Sequence, residues 1–225
     1  MGTEACNTTK GRRDATMDQH HATYLSRLLS GDFDACGAIA VDLLDSGTSI
    51  RGLYEDLFAP SLHEVGRLWE TNQISVAKEH LATAVTERLM AQVAPRIFAG
   101  HHVDRSAVVC CTTNEIHQVG GRMVADILEL SRWHAYFLGA NTPIEDLLAL
   151  IEEKNPDLLA LSVALPSNLV NLEEAIEAVR SARPDLPIIL GGQAFQHGGR
   201  DLPDRYPGTI LMDSLAELES YVLGR

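Results

Sequence analysis

The sequence predicts an amino-terminal four-helix bundle followed by a flavodoxin-like, doubly wound sheet of five parallel strands. Residues 19–98 carry apolar side chains at helical spacing. Beyond residue 104, short apolar runs alternate with helical segments, which is typical of a parallel sheet covered by helices. A chain of 225 residues is long enough for both parts. We therefore expect a polar, disordered tail over 1–16, a bundle over 17–99 and an α/β domain over 104–225.

The helical half contains two clear helix-start signals. Asp32 follows Gly31 and Ser75 follows Ile74, and both Asp and Ser are favoured N-cap residues. The expected helices lie near 19–30, 32–46, 49–70 and 75–98. The last of them carries an apolar stripe made of Ile74, Ala77, Leu81, Ala84, Val85 and Leu89. Four helices joined by short connections predict a small bundle.

The second half begins after Gly100–Asp104, which we interpret as a linker. Thr142-Pro143-Ile144-Glu145 predicts a capping box with proline at the first helical position. The strands are expected near 106–112, 133–139, 157–163, 187–191 and 208–212.

Composition excludes several classes of function. The formal net charge of −13 argues against direct binding to a phosphate backbone, which needs clustered Lys and Arg. No apolar run approaches membrane-spanning length, and the amino terminus lacks a signal-peptide pattern, so we expect a cytoplasmic protein without membrane contact. The four cysteines show no zinc-site spacing: they are Cys6, Cys36, Cys110 and Cys111.

A histidine motif follows the first predicted strand. His117 comes just past the carboxyl end of that strand, where α/β sheets place their ligands. Glu115 can accept the other imidazole proton, which is how a metal-ligating histidine is usually oriented. Gly120 and Gly121 let a bulky planar ligand approach the backbone. Taken alone the motif is a weak signal, because a histidine in a loop is usually just solvated.

Two further sites fall at the same predicted sheet edge. Ser162 lies at the end of a buried strand-like run, and Gly191 and Gly192 follow another. The carboxyl ends of parallel strands meet at one edge, so these sites are expected beside His117. The combination of E-x-H-x-x-G, strand-Ser and strand-Gly-Gly resembles the cobalamin-binding domain of methionine synthase, corrinoid methyl carriers and cobalamin-dependent mutases.

This resemblance covers about residues 104–225 and implies cobalamin as the cofactor. It implies that His117 is the lower axial ligand of cobalt and that the displaced nucleotide tail threads past Ser162 and the Gly-Gly site. The family normally has Asp where this chain has Glu115. The cofactor-binding positions implied in this half are Glu115, His117, Gln118, Val119, Gly120, Gly121, Ser162, Leu165, Gly191 and Gly192.

The helical half carries a second signature. Trp69 is followed, after nine residues, by Glu79 and His80. Each residue alone has an ordinary interpretation, because a helix Trp is usually core and a helix Glu or His is usually solvated. Their joint spacing resembles the bundle of the cobalamin-dependent photoreceptors of the CarH type. That resemblance implies that Trp69 packs against the adenosyl group and that Glu79 and His80 line the same cavity.

The chain also departs from that photoreceptor pattern. The residue after the tryptophan in CarH-type regulators is a histidine that captures cobalt after light expels the adenosyl group, and here it is Glu70. Carboxylate is a poorer ligand than imidazole for such a metal, so we predict no bis-histidine photoproduct through this position. No helix-turn-helix segment is found, which with the acidic charge predicts signalling through a protein partner or self-association.

The leading hypothesis is therefore a stand-alone cobalamin-binding light sensor that is not itself an enzyme. Adenosylcobalamin is the favoured form, with methylcobalamin as the alternative. Other readings are a corrinoid methyl carrier that serves methyltransferases and a cobalamin-responsive anti-repressor. A free-standing mutase is disfavoured because no substrate barrel is present. Some relatives also take up a bilin, but no isolated cysteine marks an attachment point for one.

Overall fold

The computed structural model describes residues 20–97 and 101–224. The chain divides into two compact units, Met1–Ala94 and Pro95–Arg225. The described part of the first unit is helical, and the second unit contains the sheet. The predicted tail over 1–16 lies outside the described residues and stays a prediction.

The helices of the first unit agree closely with the sequence-based expectation. Asp32 caps the second helix, where its side chain accepts a hydrogen bond from the Ala35 backbone N–H at 3.1 Å. A π-helical turn, Tyr54–Phe58, connects two α-helices into the single long segment that was predicted over 49–70. The helices are α1 over 20–30, α2 Phe33–Asp45, α3 Ile50–Leu53, α4 Ala59–Glu70 and α5 Val76–Val93.

The centre of this unit is an aromatic stack. Tyr24 on α1 and the two rings of the π-helical turn, Tyr54 and Phe58, are fully buried. The ring centroids of Tyr24 and Phe58 lie 5.7 Å apart, and those of Tyr54 and Phe58 lie 5.8 Å apart. Such stacked pairs add to the free energy gained by burial of the rings. The π-helical turn therefore supplies core residues and is not a loose interruption of the helix.

Helix α5 buries a different face from the one the predicted stripe suggested. Of that stripe, only Val85 and Leu89 are buried, whereas Ala77, Leu81 and Ala84 are exposed. The helix is apolar on two sides, so periodicity alone could not show which side faces the core. The buried side consists of Ala82, Val85, Thr86, Leu89, Met90 and Val93. Even with α5 included, no helix among the described residues is long and apolar enough to cross a membrane.

The second unit is a five-stranded parallel sheet in the order β2-β1-β3-β4-β5. This order is the flavodoxin-like arrangement, so the predicted fold class is confirmed. The strands are β1 Ser106–Cys111, β2 His134–Phe137, β3 Leu158–Ser162, β4 Ile188–Gly191 and β5 Thr209–Leu211. The helices are α6 Val119–Leu130, α7 Ile144–Lys154, α8 Leu169–Ala182, α9 Leu202–Arg205 and α10 Leu215–Leu223.

Helices cover both faces of this sheet. On one face, Leu147 of α7 and Ile176 of α8 pack with Val108 and Leu159 of the strands. On the other face, residues of α6 and α10 pack with Ala107 and Val109. Side chains alternate between the two faces along each strand, which is why neighbouring residues of β1 belong to different cores.

Two predicted helix caps do not form the expected side-chain hydrogen bonds. The capping box was wrong: α7 begins at Ile144, and Pro143 rather than Thr142 holds the N-cap position with extended backbone (ψ 143°). The fixed φ of proline is compatible with this position, and proline has no side-chain acceptor to offer a cap. Ser75 does hold the N-cap position of α5, but its side chain makes no capping hydrogen bond.

Candidate functional site

The sheet register brings the three sequence motifs together. Cys111 at the end of β1 pairs with Ser162 at the end of β3, and Ser162 pairs with Gly191 at the end of β4. The three strands are adjacent in the sheet, so the segments that follow them emerge side by side. His117, Ser162 and the Gly-Gly site therefore share the carboxyl edge of the sheet, the usual ligand edge of this fold.

Glu115 is the most constrained side chain at this edge. It is fully buried, and both of its carboxylate oxygens are engaged. Oε1 accepts from the backbone N–H and Nδ1 of His117, at 3.0 and 2.7 Å. Oε2 accepts from the backbone N–H groups of Ala164 and Leu165 and from Asn168 Nδ2, all at 3.0 Å. The long Glu side chain thus spans from the histidine loop to the segment after β3, with one oxygen for each.

This arrangement fixes the ionisation of Glu115. Burial by itself raises the pKa of a carboxyl group, but the hydrogen bonds from His117, Asn168 and the backbone outweigh burial and lower the pKa of Glu115 to about 2. Donors that point at a carboxylate stabilise its charged form. Glu115 is therefore an anion that can only accept hydrogen bonds at neutral pH.

The ionised Glu115 in turn sets the tautomer of His117. Because the carboxylate can only accept, Nδ1 must carry the proton that lies between the two side chains. In the neutral imidazole, Nε2 is then the nitrogen with the lone pair, which is the atom that binds a metal. The His117 side chain is 41% exposed, in contrast to the buried carboxylate that holds it. The pair has the geometry of a metal-ligating histidine.

The loop that carries Glu115 and His117 is also hydrogen-bonded to the loop after β2. Asn114 has a left-handed backbone (φ 65°) and donates its N–H to the side chain of Asn141 at 2.8 Å. The Asn141 N–H in turn donates to the Glu115 carbonyl at 2.8 Å. Asn readily adopts positive φ, so the sharp turn before Glu115 needs no glycine. The loop after β2 therefore supports the position of the histidine loop.

Asn168 is a site residue that the sequence analysis missed. It lies in a short 3₁₀ turn, Pro166–Asn168, and is buried. Its Nδ2 bonds both Glu115 Oε2 and the Asn114 carbonyl, the latter at 3.3 Å. Its local sequence gives no functional signal, because an Asn after Pro-Ser is an ordinary turn residue. Only the fold shows that it lies beside a carboxylate 53 positions away.

The glycines of the motif differ in what surrounds them. A side chain on Gly120 would meet only Ser162 Oγ, at 3.6 Å, so this glycine borders open space. A Cβ on Gly121 would lie 3.2 Å from the Phe137 ring and 3.3 Å from Cys111 Sγ, so this glycine lets α6 pack closely on the sheet. Gln118 and Val119 form the start of α6, and Val119 is buried.

In the second glycine pair, too, one glycine is tightly packed and the other borders open space. Gly192 has φ 118°, and a Cβ there would lie 2.1 Å from the Val163 carbonyl oxygen, which no side chain tolerates. Around Gly191 the nearest atom to such a Cβ is the Met212 carbonyl oxygen at 3.6 Å. Gly120 and Gly191, with the Ser162 hydroxyl, therefore leave room along the sheet edge for a slender polar group.

Exposed apolar side chains occur next to His117 in the chain and on the segment after β3. Ile116 is 66% exposed, although it lies between a buried carboxylate and a histidine. Leu165 and Val170 are also exposed on the adjoining segments after β3. Exposed large aliphatic residues around a metal-ligating histidine are suited to the face of a large, mostly apolar ring.

The three predicted residues of the helical unit flank the turn from α4 to α5. Trp69 lies near the end of α4 and is 42% exposed. Glu79 lies in the first turn of α5, where its Oε2 bonds His80 Nδ1 at 2.6 Å and its Oε1 accepts from Thr83 at 3.1 Å. His80 itself is 70% exposed. This is a second Glu–His pair, but one at the surface.

Both units of the chain match known B12-binding proteins. Residues 105–209 match a B12 binding domain, and residues 21–94 match a second B12 binding domain model. The fold resembles the monomethylamine corrinoid protein of Methanosarcina barkeri, with a TM-score of 0.78 and 13% identity, over 92% of this chain and 98% of that one. The class of protein is therefore a two-part corrinoid-binding fold.

The curated relatives of this chain fall into two groups, transcriptional repressors and corrinoid proteins. The chain is 29% identical to the HTH-type transcriptional repressor CarH of Myxococcus xanthus over 63% of this chain, and 31% identical to CarA of the same organism over 74%. It spans 47% and 58% of the lengths of those two repressors. Trimethylamine corrinoid protein 1 of Methanosarcina acetivorans is 23% identical, over 85% of this chain and 90% of that protein. The chain is thus a cobalamin-binding module related to both groups.

The residues at the sheet edge fit cobalamin. His117 offers one oriented imidazole nitrogen, as expected for a protein that supplies a single axial ligand. No group of three or more His, Cys, Asp or Glu within 20–97 and 101–224 is arranged to hold a bare metal ion, so His117 is not part of a protein-only metal cluster. The open edge along Gly120, Ser162 and Gly191 matches a cofactor that carries a long polar tail.

Proposed function

We propose that this cobalamin-binding protein is a light sensor that uses adenosylcobalamin and signals to a protein partner or by self-association. The single observation that carries the proposal is the exposed Trp69 at the end of α4, with the Glu79–His80 pair in the first turn of the next long helix. A helix tryptophan is normally buried, so its exposure in the bundle favours contact with a ligand. The similarity to CarH supports the same conclusion.

In this proposal the α/β unit holds the cofactor. Glu115 keeps the proton on His117 Nδ1 and presents Nε2 to cobalt, while Asn168 and two backbone N–H groups keep Glu115 ionised. Ser162 and the two open glycines flank the path of the tail. When bound, cobalamin supplies a cobalt–carbon bond that light can cleave.

The helical bundle is the part of the protein that responds to light in this proposal. Trp69, Val76 and Leu81 are exposed apolar residues at the end of α4 and the start of α5, and they are suited to contact an alkyl group. A bundle that packs differently with and without that group would shift between two states, since a ligand moves an equilibrium by its difference in affinity for them. Residue 70 is Glu, and carboxylate is a poorer cobalt ligand than imidazole. We therefore propose that illumination does not produce a bis-histidine complex through residue 70.

A second candidate function is a corrinoid methyl carrier that works with methyltransferases. The observation that favours it is the similarity to the trimethylamine corrinoid protein, which extends over 85% of this chain and 90% of that protein. This function would use methylcobalamin. A cobalamin-responsive anti-repressor is a third candidate, and binding of a transcription factor irrespective of light would distinguish it.

The deciding experiment is an absorption spectrum of the protein reconstituted in the dark with adenosylcobalamin, then repeated after green light. A histidine-ligated spectrum that changes with light, and whose ligation is lost in His117→Ala, supports the sensor. The matched control is His80→Ala, which leaves ligation by His117 intact. Equal affinity for the adenosyl and methyl forms, together with methyl transfer from methylcobalamin to a methyltransferase, supports the carrier and contradicts the sensor.

A further inference from the structure

The segment just before β1 is fastened to the α/β unit by a cluster of histidines. His102 Nε2 lies 2.5 Å from Glu129 Oε2, near the end of α6. The ring of His102 also stacks on that of His134, the first residue of β2, with centroids 3.8 Å apart and planes 26° apart. One residue later, the Val103 N–H donates to the Arg132 carbonyl at 2.8 Å. The sequence had suggested a plain linker at this place.

Glu129 links this cluster to the sheet. Its second oxygen, Oε1, accepts from the Ala135 backbone N–H at 2.8 Å, so the same carboxylate holds both the start of β2 and His102. Glu129 is largely shielded from solvent, whereas the His102 side chain is about one-third exposed, so protons reach the imidazole. The two rings are stacked and do not converge on a point, so the geometry is not that of a metal site.

We propose that His102, His134 and Glu129 form a proton-sensitive clip that holds residues 101–104 on the α/β unit and opens when both imidazoles are protonated. This inference does not depend on cobalamin. One proton on the pair is compatible with the clip, because Glu129 supplies one compensating negative charge. A second proton places two cations 3.8 Å apart against that single charge, and like charges at this distance repel.

The other charged groups of this region do not provide the missing compensation. Arg132 lies in the turn between α6 and β2 and adds positive charge to the stretch. Arg105 pairs with Asp157 at 2.5 Å, so that carboxylate is already engaged. Asp104 and His101 lie on the segment itself and are exposed. Glu129 is the carboxylate that bonds His102, on which the ring of His134 stacks.

Hydrogen exchange of the Val103 amide tests the clip, because this amide is protected only while the segment is fastened. From about pH 7.5 to about pH 5, we expect the protection factor to fall at least about tenfold. The internal control is the Trp133 amide, which bonds the Leu128 carbonyl in the neighbouring turn and should keep its protection.

His134→Phe is the informative variant. Phenylalanine keeps the stacked ring but cannot take the second proton, so protection of Val103 should become independent of pH across this range. A second variant, Glu129→Gln, should lower the protection of Val103 already at about pH 7.5, since the charged acceptor is lost. An unchanged pH response in His134→Phe, a parallel loss at Trp133, or constant protection in the unmodified protein would each overturn the proposal.

Discussion

The two units each present a Glu–His pair, and the two pairs are built differently. In the α/β unit, Glu115 is buried and receives five hydrogen bonds, and it holds a half-exposed His117. In the helical unit, Glu79 receives bonds from two side chains of the described residues, His80 and Thr83, and His80 is largely exposed. The first pair is suited to permanent ligation of a metal, because its orientation is fixed before the ligand arrives. The Glu79–His80 pair is less constrained, so its side chains can reorient around a ligand.

The strongest test of this contrast is to remove each histidine in turn. His117→Ala should abolish the histidine-ligated spectrum of the reconstituted protein and weaken cobalamin binding by more than about 100-fold, since loss of a second-sphere partner alone costs about 10–100-fold. His80→Ala should leave the dark spectrum unchanged. Absorption titration with adenosylcobalamin measures both. An equal effect of the two substitutions would remove the distinction between the pairs.

The buried carboxylate should also matter without any cofactor. Glu115→Gln removes the negative charge and turns an N–H₂ group towards at least two of the five donors. It should reduce the free energy of unfolding by about 3 kcal/mol. Urea unfolding of the apoprotein gives this value. The corresponding change at the surface pair, Glu79→Gln, is the matched control.

The pH dependence of this difference follows from the lowered pKa of Glu115. A folded-state pKa of about 2, below the ordinary value of 4.5, contributes stability that is fully present above pH 4.5 and is lost as the pH falls towards 2. The gap between the unmodified protein and Glu115→Gln should therefore stay constant from neutral pH to about 4.5 and shrink below it. A gap that shrinks already between about pH 7 and pH 5 would mean that another group carries the effect.

Asn168→Ala should have a smaller effect of the same kind. It removes one of the five donors, so we expect a loss of about 1–2 kcal/mol in unfolding free energy and a rise in the pKa of Glu115. The acid transition of the variant should therefore begin at higher pH than that of the unmodified protein. Ser162→Ala, at the same sheet edge, should leave the acid transition where it is. If Asn168 were merely structural, its removal would lower the unfolding free energy by the same amount at every pH.

The smallest expected effect belongs to the surface pair. Glu79→Gln should change the unfolding free energy by no more than about 0.5 kcal/mol, because a pair whose histidine is largely exposed contributes little to stability. Its effect should appear only in the reconstituted protein, as a changed response to light. Urea unfolding with and without adenosylcobalamin separates an effect on the apoprotein from an effect that needs the cofactor. A large loss of stability in the apoprotein would show that this pair is structural.

The same contrast explains what the sequence could predict. The strands and the histidine motif were predictable because apolar runs and a Glu-x-His at a strand end are local patterns. The partners of Glu115 were not, since Ala164, Leu165 and Asn168 come from a segment about 50 positions away and act through backbone N–H groups or an ordinary turn residue.

In the helical unit the limit was different. Helix α5 has apolar residues on two sides, and the spacing of Leu81 and Val85 fits a single stripe although only Val85 is buried. Which side faces the core depends on the neighbouring helices, such as α2, where Gly37 lies against Leu89. The exposed apolar side of α5, which spacing alone joined to the core-facing side in one stripe, is the one that the proposed function uses.

The division of Glu115 between two segments bears on any attempt to transplant this site. One oxygen serves the histidine loop and the other serves the segment after β3. A designer who grafted Glu115–Gly121 alone onto another flavodoxin-like sheet would transfer the ligand without its holder, and the carboxylate would be free to swing into solvent. The portable unit is a pair of loops, and a host protein would have to accept both.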